Sequence, residues 1–325
     1  MKVVVTGAGG FIGSHLCLHL KAKGHWVRAV DTKWDNYLVD YADQCVTADL
    51  RKASSSLSVV KEMDRVYNLA ANMGGIGYIT YAKAEVMRDN VLINVNMLEA
   101  ARKCKIKRYF FSSSACVYPT YKQRSSEVTP LKESDAYPAD PDNEYGWEKL
   151  FAERLCSDYA EDFGLETRIA RFHNIYGPEG TYEGGKEKAP AALCRKVAEA
   201  SNPGSIDIWN DGKQTRSFCY VDDCVRGIDA LMESDYREPV NIGSDRLVTI
   251  DELADIIIRI SRKKIVKTYD MTKPQGVRGR NADLSLVTKL IGWNPTVSLE
   301  SGLEKTYRWI EKRILERRNP KRKTL

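Results

Sequence analysis

The stretch VVVTGAGGFIGSHL, residues 3–16, decides the fold. Three valines and a threonine read as a buried strand, and the residues after Phe11 carry helical spacing. Between them stand Gly7, Gly10 and Gly13 in a GxxGxxG spacing; the GxGxxG version fails because position 12 is Ile. Glycine at such a turn permits a tight bend and lets amides at the helix N-terminus approach a diphosphate. The plain alternative is a strand–turn–helix with incidental glycines. Asp31 argues against it, because a carboxylate ending the second strand binds both adenosine ribose hydroxyls and repels a 2′-phosphate. NAD is therefore expected in preference to NADP, with Lys33 pulling the other way. Asp49 and Leu50, after the third strand, suit the adenine pocket, and Phe11, Ile12 and Ala70 complete the expected cofactor contacts.

Working outward, residues 1–170 alternate short apolar runs with helix-period segments, as βαβ units do. Strands are expected at 2–6, 26–31, 44–49, 65–70, 108–113 and 166–171, with helices at 14–24 and 90–105 among those between them. After about residue 172 the pattern loosens into a Gly/Pro-rich loop (178–190), a helix at 191–200, and an amphipathic helix at 248–262. The last of these opens on a Thr249-x-x-Glu252 capping box. The fold class is α/β: a Rossmann-type doubly wound parallel sheet with a smaller C-terminal α/β substrate lobe. Residues 1–172 form the NAD-binding domain, with later segments returning to it, and 173–316 form mainly the substrate lobe. Residues 317–325 are a basic tail.

Composition narrows the function classes. The chain has 325 residues, 43% hydrophobic and 29% charged, which describes a globular protein. No stretch approaches the roughly 20 apolar residues that span a bilayer. Met1 leads straight into a strand, so a cytoplasmic protein is expected. The eight cysteines show no CxxC pair or finger spacing, which points away from structural zinc and a disulfide framework, and no metal is expected. Seven of them read as small hydrophobes. The formal charge is +6, but RRNPKRK (317–323) carries five positive charges, leaving +1 for the rest. A solvated terminus explains that run better than nucleic-acid binding.

Tyr-x-x-x-Lys occurs four times, at Tyr118/Lys122, Tyr145/Lys149, Tyr182/Lys186 and Tyr269/Lys273. Prolines or glycines break the other three; only Tyr145/Lys149 lies in a helical run, 144–164, one turn apart on one face. A nearby ammonium is expected to lower the phenol's pKa toward neutrality, as proton exchange with a sugar hydroxyl requires. A core tyrosine with a surface lysine is the bland alternative. Ser114, at a strand end some thirty residues upstream, favours the catalytic one.

These features together resemble the extended short-chain dehydrogenase/reductases, from VTGAGGFIGSHL through RFHNIYGP (171–178) to REPVNIGS (237–244). The resemblance implies that Ser114, Tyr145 and Lys149 form a hydride-transfer triad acting with NAD. It also implies a homodimer built through the helices at 90–105 and 145–163.

Cys116, in SSSACVYP, is not needed for hydride transfer. Oxidising C4 of a hexose acidifies the protons on C3 and C5, and a second acid/base set could then exchange them. A thiol beside a cation and a lysine in a partly desolvated pocket both suit that task. SSSACVYP, RFHNIYGP, GGKEKAPAALCRK, DGKQTRSF and GVRGRN together resemble the GDP-mannose 3,5-epimerase family. That resemblance implies Cys116 and Lys188 as the acid/base pair. It implies GDP-mannose contacts at Gly75, Ser114, Asn174, Glu187, Ala189, Lys196, Gln214, Arg216 and Arg280. The sequence departs from the family pattern at Asn72, more usually aspartate, and at Trp147, often leucine. Two other readings stay open: a UDP-hexose 4-epimerase, which needs neither Cys116 nor Lys188, and a non-catalytic NAD-binding sensor.

Overall fold

Val3 and Val5 face one side of a parallel sheet and Val4 the other, and all three are fully buried. Both faces of such a sheet are covered, so its strands read as continuous apolar runs. The structure is a computed structural model describing residues 1–34, 38 and 40–318. Its first lobe runs β1 (Lys2–Thr6), α1 (Phe11–Ala22), β2 (Trp26–Asp31), β3 (Gln44–Thr47), α2 (Ala53–Val60), β4 (Arg65–Asn68), α3 (Ile76–Tyr81), α4 (Lys83–Lys103), β5 (Arg108–Ser114), α5 (Glu144–Phe163) and β6 (Glu166–Phe172). Smaller elements follow. They are β7 (Ile175–Tyr176), α6 (Ala189–Glu199), β8 (Gly204–Trp209), β9 (Thr215–Ser217), β10 (Cys219–Tyr220), α7 (Val221–Glu233), β11 (Val240–Ile242), β12 (Leu247–Thr249), α8 (Ile250–Ser261), β13 (Ile265–Asp270), β14 (Gly279–Arg280), α9 (Ser285–Ile291) and α10 (Leu299–Arg318).

The central sheet has the order β11-β6-β5-β4-β1-β2-β3, and every neighbouring pair is parallel. It is the doubly wound sheet expected from the sequence. The strand order reverses between β1 and β4, and in such sheets ligands bind beyond the carboxyl ends of the strands at that switch point. Helices α2, α4 and α5 cover one face through Val59, Met97, Leu98 and Cys156; α1 and α7 cover the other through Leu16, Leu20, Ile228 and Leu231. Segments beyond residue 172 thus return to the first lobe: β11 extends its sheet and α7 packs on α1. In the second lobe β8 pairs with β13, and α6, α8 and α10 pack together.

Element ends differ from expectation for local reasons. The helix expected at 90–105 starts at Lys83, and strands 44–49 and 65–70 stop at Thr47 and Asn68, where the chain turns into the cleft. Residues 247–249 form β12, so the helix begins at Ile250; Thr249 and Glu252 cap it reciprocally, as expected. Cys45 is exposed because β3 is an edge strand, and Cys104 is half-buried; five other cysteines are buried, Cys116 apart. Two residues of the expected basic tail lie in a helix. Arg317 and Arg318 finish α10, where Arg317 donates to Glu183 at 2.6 Å and to the Tyr182 hydroxyl at 3.0 Å. The rest of that run, 319–325, lies outside the described residues. No helix among the described residues is long and apolar enough to cross a membrane.

Candidate active site

A cleft of about 600 Å³ opens at the carboxyl ends of β1, β2, β4 and β5. Gly7, Gly10, Phe11, Ile12, Gly13, Asp31, Asp49, Leu50 and Ala70 line it, together with Ser114, Tyr145 and Lys188. The cradle is tight by construction. Gly7 adopts φ +69°, and a Cβ on Gly13 would sit 2.2 Å from the Gly7 carbonyl oxygen. Asp31 ends β2 facing the cleft, its Oδ2 accepting the Gly9 amide at 2.9 Å and its Oδ1 the Thr32 amide at 2.7 Å. Asp49 is engaged by Arg51, whose Nη1 also reaches Asp89 at 3.1 Å.

Helix α5 delivers the triad. Asn143 caps it by accepting the Gly146 amide at 2.9 Å, which satisfies an amide that the first turn leaves free. Tyr145 is buried and shares the cleft with Ser114 at the end of β5. Lys149 is 1% exposed, with its ammonium 5.5 Å from the Tyr145 ring and 4.7 Å from the Phe111 ring. That ammonium finds no hydrogen-bond partner among the described residues. Its neighbour Glu148 is equally buried, accepting from Asn94 at 2.5 Å through Oε1 and unpartnered at Oε2.

The expected lowering of the Tyr145 pKa is not what this arrangement produces. Burial pushes the phenol well above its ordinary value, the Cys116 thiol and Glu148 carboxyl push the same way, and only the Ser114 hydroxyl opposes them. Burial likewise lowers the Lys149 ammonium, with Glu148 opposing. The unpartnered Lys149 ammonium and Glu148 Oε2 are buried and do not line the cleft, whereas the glycine cradle fits a diphosphate-bearing ligand. NAD is such a group: the glycine turn would hold its diphosphate, Asp31 its adenosine ribose, and Lys149 and Tyr145 its nicotinamide end.

Beyond Ser114 the chain makes one short turn, Ala115–Val117, in which the Cys116 amide donates to the Ser114 hydroxyl at 3.1 Å. Gly146 lets α5 press onto this turn. Arg280 Nη1 donates to the Cys116 sulfur at 3.5 Å. Arg216 and Arg280 are register partners on β9 and β14, and burial, aided by Arg280, lowers the Arg216 guanidinium to about 9. Lys188 precedes α6 and opens onto the cleft. Though its surface meets cleft solvent, surrounding protein desolvates the ammonium and lowers its pKa, opposed by the Cys116 and Cys224 thiols.

The remaining expected substrate residues fall into separate places. Gly75 donates its amide to the Lys186 carbonyl at 3.0 Å, so the loop after β4 meets the loop before α6. Asn174, at φ 45°, donates to the Ser217 carbonyl at 2.9 Å beside Arg216. Lys196 pairs with Asp207 at 2.7 Å, and Gln214 donates to the Trp209 carbonyl at 3.2 Å while its oxygen is buried and unpartnered. Glu187 accepts the Gly185 amide at 2.7 Å, and Ala189 is the first residue of α6. Gly75, Asn174, Glu187 and Ala189 are chain neighbours of residues that line the main cleft, whereas Cys116, Lys149, Lys196, Gln214, Arg216 and Arg280 do not line it.

Behind the site, RFHNIYGP and REPVNIGS meet. Asn241 Oδ1 accepts from the Tyr118 hydroxyl at 2.6 Å and from His173 Nε2 at 2.8 Å, and its amide donates to Leu131 and Asp283 carbonyls. Arg171 forms a buried pair with Glu153 at 2.7 Å. Sequence reasoning missed three contributors. They are Gly9, Gly146 and Gln123; the glycine beside Tyr145 was a usable signal, whereas Gln123 stands in an uninformative polar run.

Residues 3–243 match the NAD dependent epimerase/dehydratase family. The chain is 48% identical over 316 residues to GDP-mannose 3,5-epimerase of Arabidopsis thaliana, covering 97% of this chain and 83% of that one. UDP-glucose 4-epimerase of Thermotoga maritima, solved with UDP-glucose, superposes with a TM-score of 0.87 at 26% identity, covering 97% of this chain and all of that one. UDP-glucuronic acid 4-epimerase of Bacillus cereus, solved with NAD and UDP-glucuronic acid, gives 0.82 at 29% identity, covering 96% and 99%.

Proposed function

The chain belongs to the NAD dependent epimerase/dehydratase family, and on that premise we propose that it is a GDP-mannose 3,5-epimerase, an isomerase that keeps NAD bound through each turnover. The observation that carries this reading is the thiol of Cys116, two residues beyond Ser114 and close to both Tyr145 and Lys188, with Ser114, Tyr145 and Lys188 lining one cleft. An enzyme inverting only C4 needs Tyr145 but has no use for that second pair. The 48% identity to a GDP-mannose 3,5-epimerase supports the substrate.

NAD, when bound, supplies reversible oxidation at C4 of the hexose. Tyr145 exchanges the proton of the C4 hydroxyl, with Ser114 orienting the oxygen and Lys149 supplying the cation that a buried phenolate requires. A ketone at C4 acidifies the flanking C–H groups. Cys116 and Lys188 then remove and return protons at C5, and at C3. Desolvation by the surrounding protein lowers the Lys188 ammonium, the direction a base requires. Arg216 and Arg280 offer positive charge to the diphosphate, their forks being partly engaged by the Thr215 and Val277 carbonyls and by Gln123 and Cys116. The products are GDP-L-galactose and, from inversion at C5 alone, GDP-L-gulose.

The protein acts as a homodimer in this reading. Trp147 and Phe151 are 43% and 47% exposed, one turn apart on α5, and Leu92 and Val95 are exposed on the neighbouring α4. Such a patch is costly to leave in water. Free thiols at all eight cysteines fit a reducing cytoplasm.

The test is direct. Purified protein is incubated with GDP-mannose without added NAD, and the sugar is identified by NMR. GDP-L-galactose and GDP-L-gulose are expected. Inversion at C4 alone, or no product from protein that carries NAD, would overturn the proposal.

A further inference from the structure

Resting on the reading of Cys116 as an acid/base group, we infer that Gln123 is a positioning residue that aims the Arg280 guanidinium at the Cys116 sulfur without neutralising it. Gln123 is 1% exposed, although it stands in the polar run YKQRSS. Its amide nitrogen donates to the Tyr118 carbonyl at 3.0 Å and to the Pro119 carbonyl at 3.1 Å. Its amide oxygen accepts from Arg280 Nε at 2.5 Å. Its backbone carbonyl takes the amides of Arg278 and Gly279 at 3.0 and 3.2 Å. One residue therefore ties the chain just after Cys116 to β14, which carries Arg280.

With Nε held, Arg280 Nη1 meets the sulfur at 3.5 Å. Nη2 has no hydrogen bond but forms a long ion pair with the Asp142 carboxylate at 3.8 Å, so a second carboxylate at position 123 would leave the guanidinium overcompensated. The choice of an amide matters. A carboxylate in place of Gln123 would hold Nε equally well and cancel the charge that the sulfur feels, whereas an amide fixes the geometry and leaves the charge. A cation beside a thiol favours the thiolate, the form that accepts a proton. The other groups facing Cys116 are Arg216 from β9, Lys188 at the head of α6 and Tyr145 from α5. Asp142 meets the guanidinium at Nη2, not at the Nη1 that donates to the sulfur.

The test needs no substrate. Holoenzyme is treated with iodoacetamide from about pH 6 to about pH 9, and alkylation of the Cys116 peptide is followed by mass spectrometry. The exposed Cys45 serves as the reference within each digest. Gln123→Glu is expected to slow Cys116 alkylation about tenfold at neutral pH and to move its rate–pH curve to higher pH, with Cys45 unchanged. Gln123→Met, which keeps volume but frees Arg280, moves the curve in the same direction by less. Thermal melting and retained NAD report folding; if Gln123→Glu does not fold, Gln123→Met carries the comparison. A folded variant whose Cys116 curve tracks the wild type overturns the inference. A failed epimerase reading would appear in the product assay and not in this one.

Discussion

A Cβ on Gly146 would lie 2.2 Å from the carbonyl oxygen of Cys116. The residue after the candidate proton-transfer tyrosine is thereby pressed against the backbone of the candidate acid/base thiol, so the two chemistries share one rigid contact. Gly146→Ala forces α5 and the Cys116 turn apart. A loss of roughly 1–3 kcal/mol in stability is expected, with a larger proportional loss of activity because both groups move. Urea unfolding beside a turnover assay checks it; an alanine variant with wild-type turnover would contradict the coupling.

Tyr145→Phe removes the hydroxyl and nothing else from a buried ring. Turnover is expected to fall by roughly 10²–10⁴, while melting temperature and bound NAD stay near wild type. Cofactor released by acid and measured by absorbance separates lost chemistry from lost binding.

Asp31→Asn tests the adenosine end. The carboxylate accepts three backbone amides, of Gly9, Thr32 and Lys33, at the lip of the cradle, and its charge would repel a 2′-phosphate. The variant is expected to bind NAD roughly tenfold more weakly and to narrow the preference over NADP. Titration of apoprotein with each cofactor reads both effects.

His173 makes stability depend on pH. Burial lowers it from 6.5 to about 3, with its Nε2 committed to Asn241 and its Nδ1 unpartnered. Between those values the unfolded chain binds one proton more than the folded protein, so stability falls as pH falls, by about 1.4 kcal/mol per unit. Above 6.5 both states are neutral at this site and the effect vanishes. His173→Gln is expected to lower stability throughout but to flatten the acid limb, losing on the order of 2 kcal/mol less than wild type over about two pH units. Unfolding curves at the two ends of that range measure it.

Trp147→Asp combined with Phe151→Asp places charge on the exposed stripe of α5. Light scattering is expected to report a dimer for the wild type and, for the variant, a monomer that still carries NAD. A wild-type monomer would contradict the dimer.

The parallel sheet, its glycine turn and the tyrosine–lysine helix were legible because each depends on local pattern: apolar runs, a turn that only glycine fits, and spacing on one helical face. Thr249 and Glu252 were legible for the same reason, since a capping box is closed within four residues. The protonation of Tyr145 was not. A lysine one turn away suggested a lowered pKa, but burial by residues distant in sequence dominates. Lys196 shows the same limit, because its partner Asp207 sits on a strand whose placement follows from packing of the second lobe. Gln123 was hidden altogether, as its partner Arg280 is 157 positions away.

Deuterium exchange tests the central claim most directly. Holoenzyme and Cys116→Ala are incubated with GDP-mannose in D2O without added NAD, and label in the recovered sugar is located by mass spectrometry and NMR. The account predicts deuterium at C5 and C3 with the wild type and loss of most of it with the variant. No label from wild-type protein that carries NAD, or undiminished label from Cys116→Ala, would contradict it.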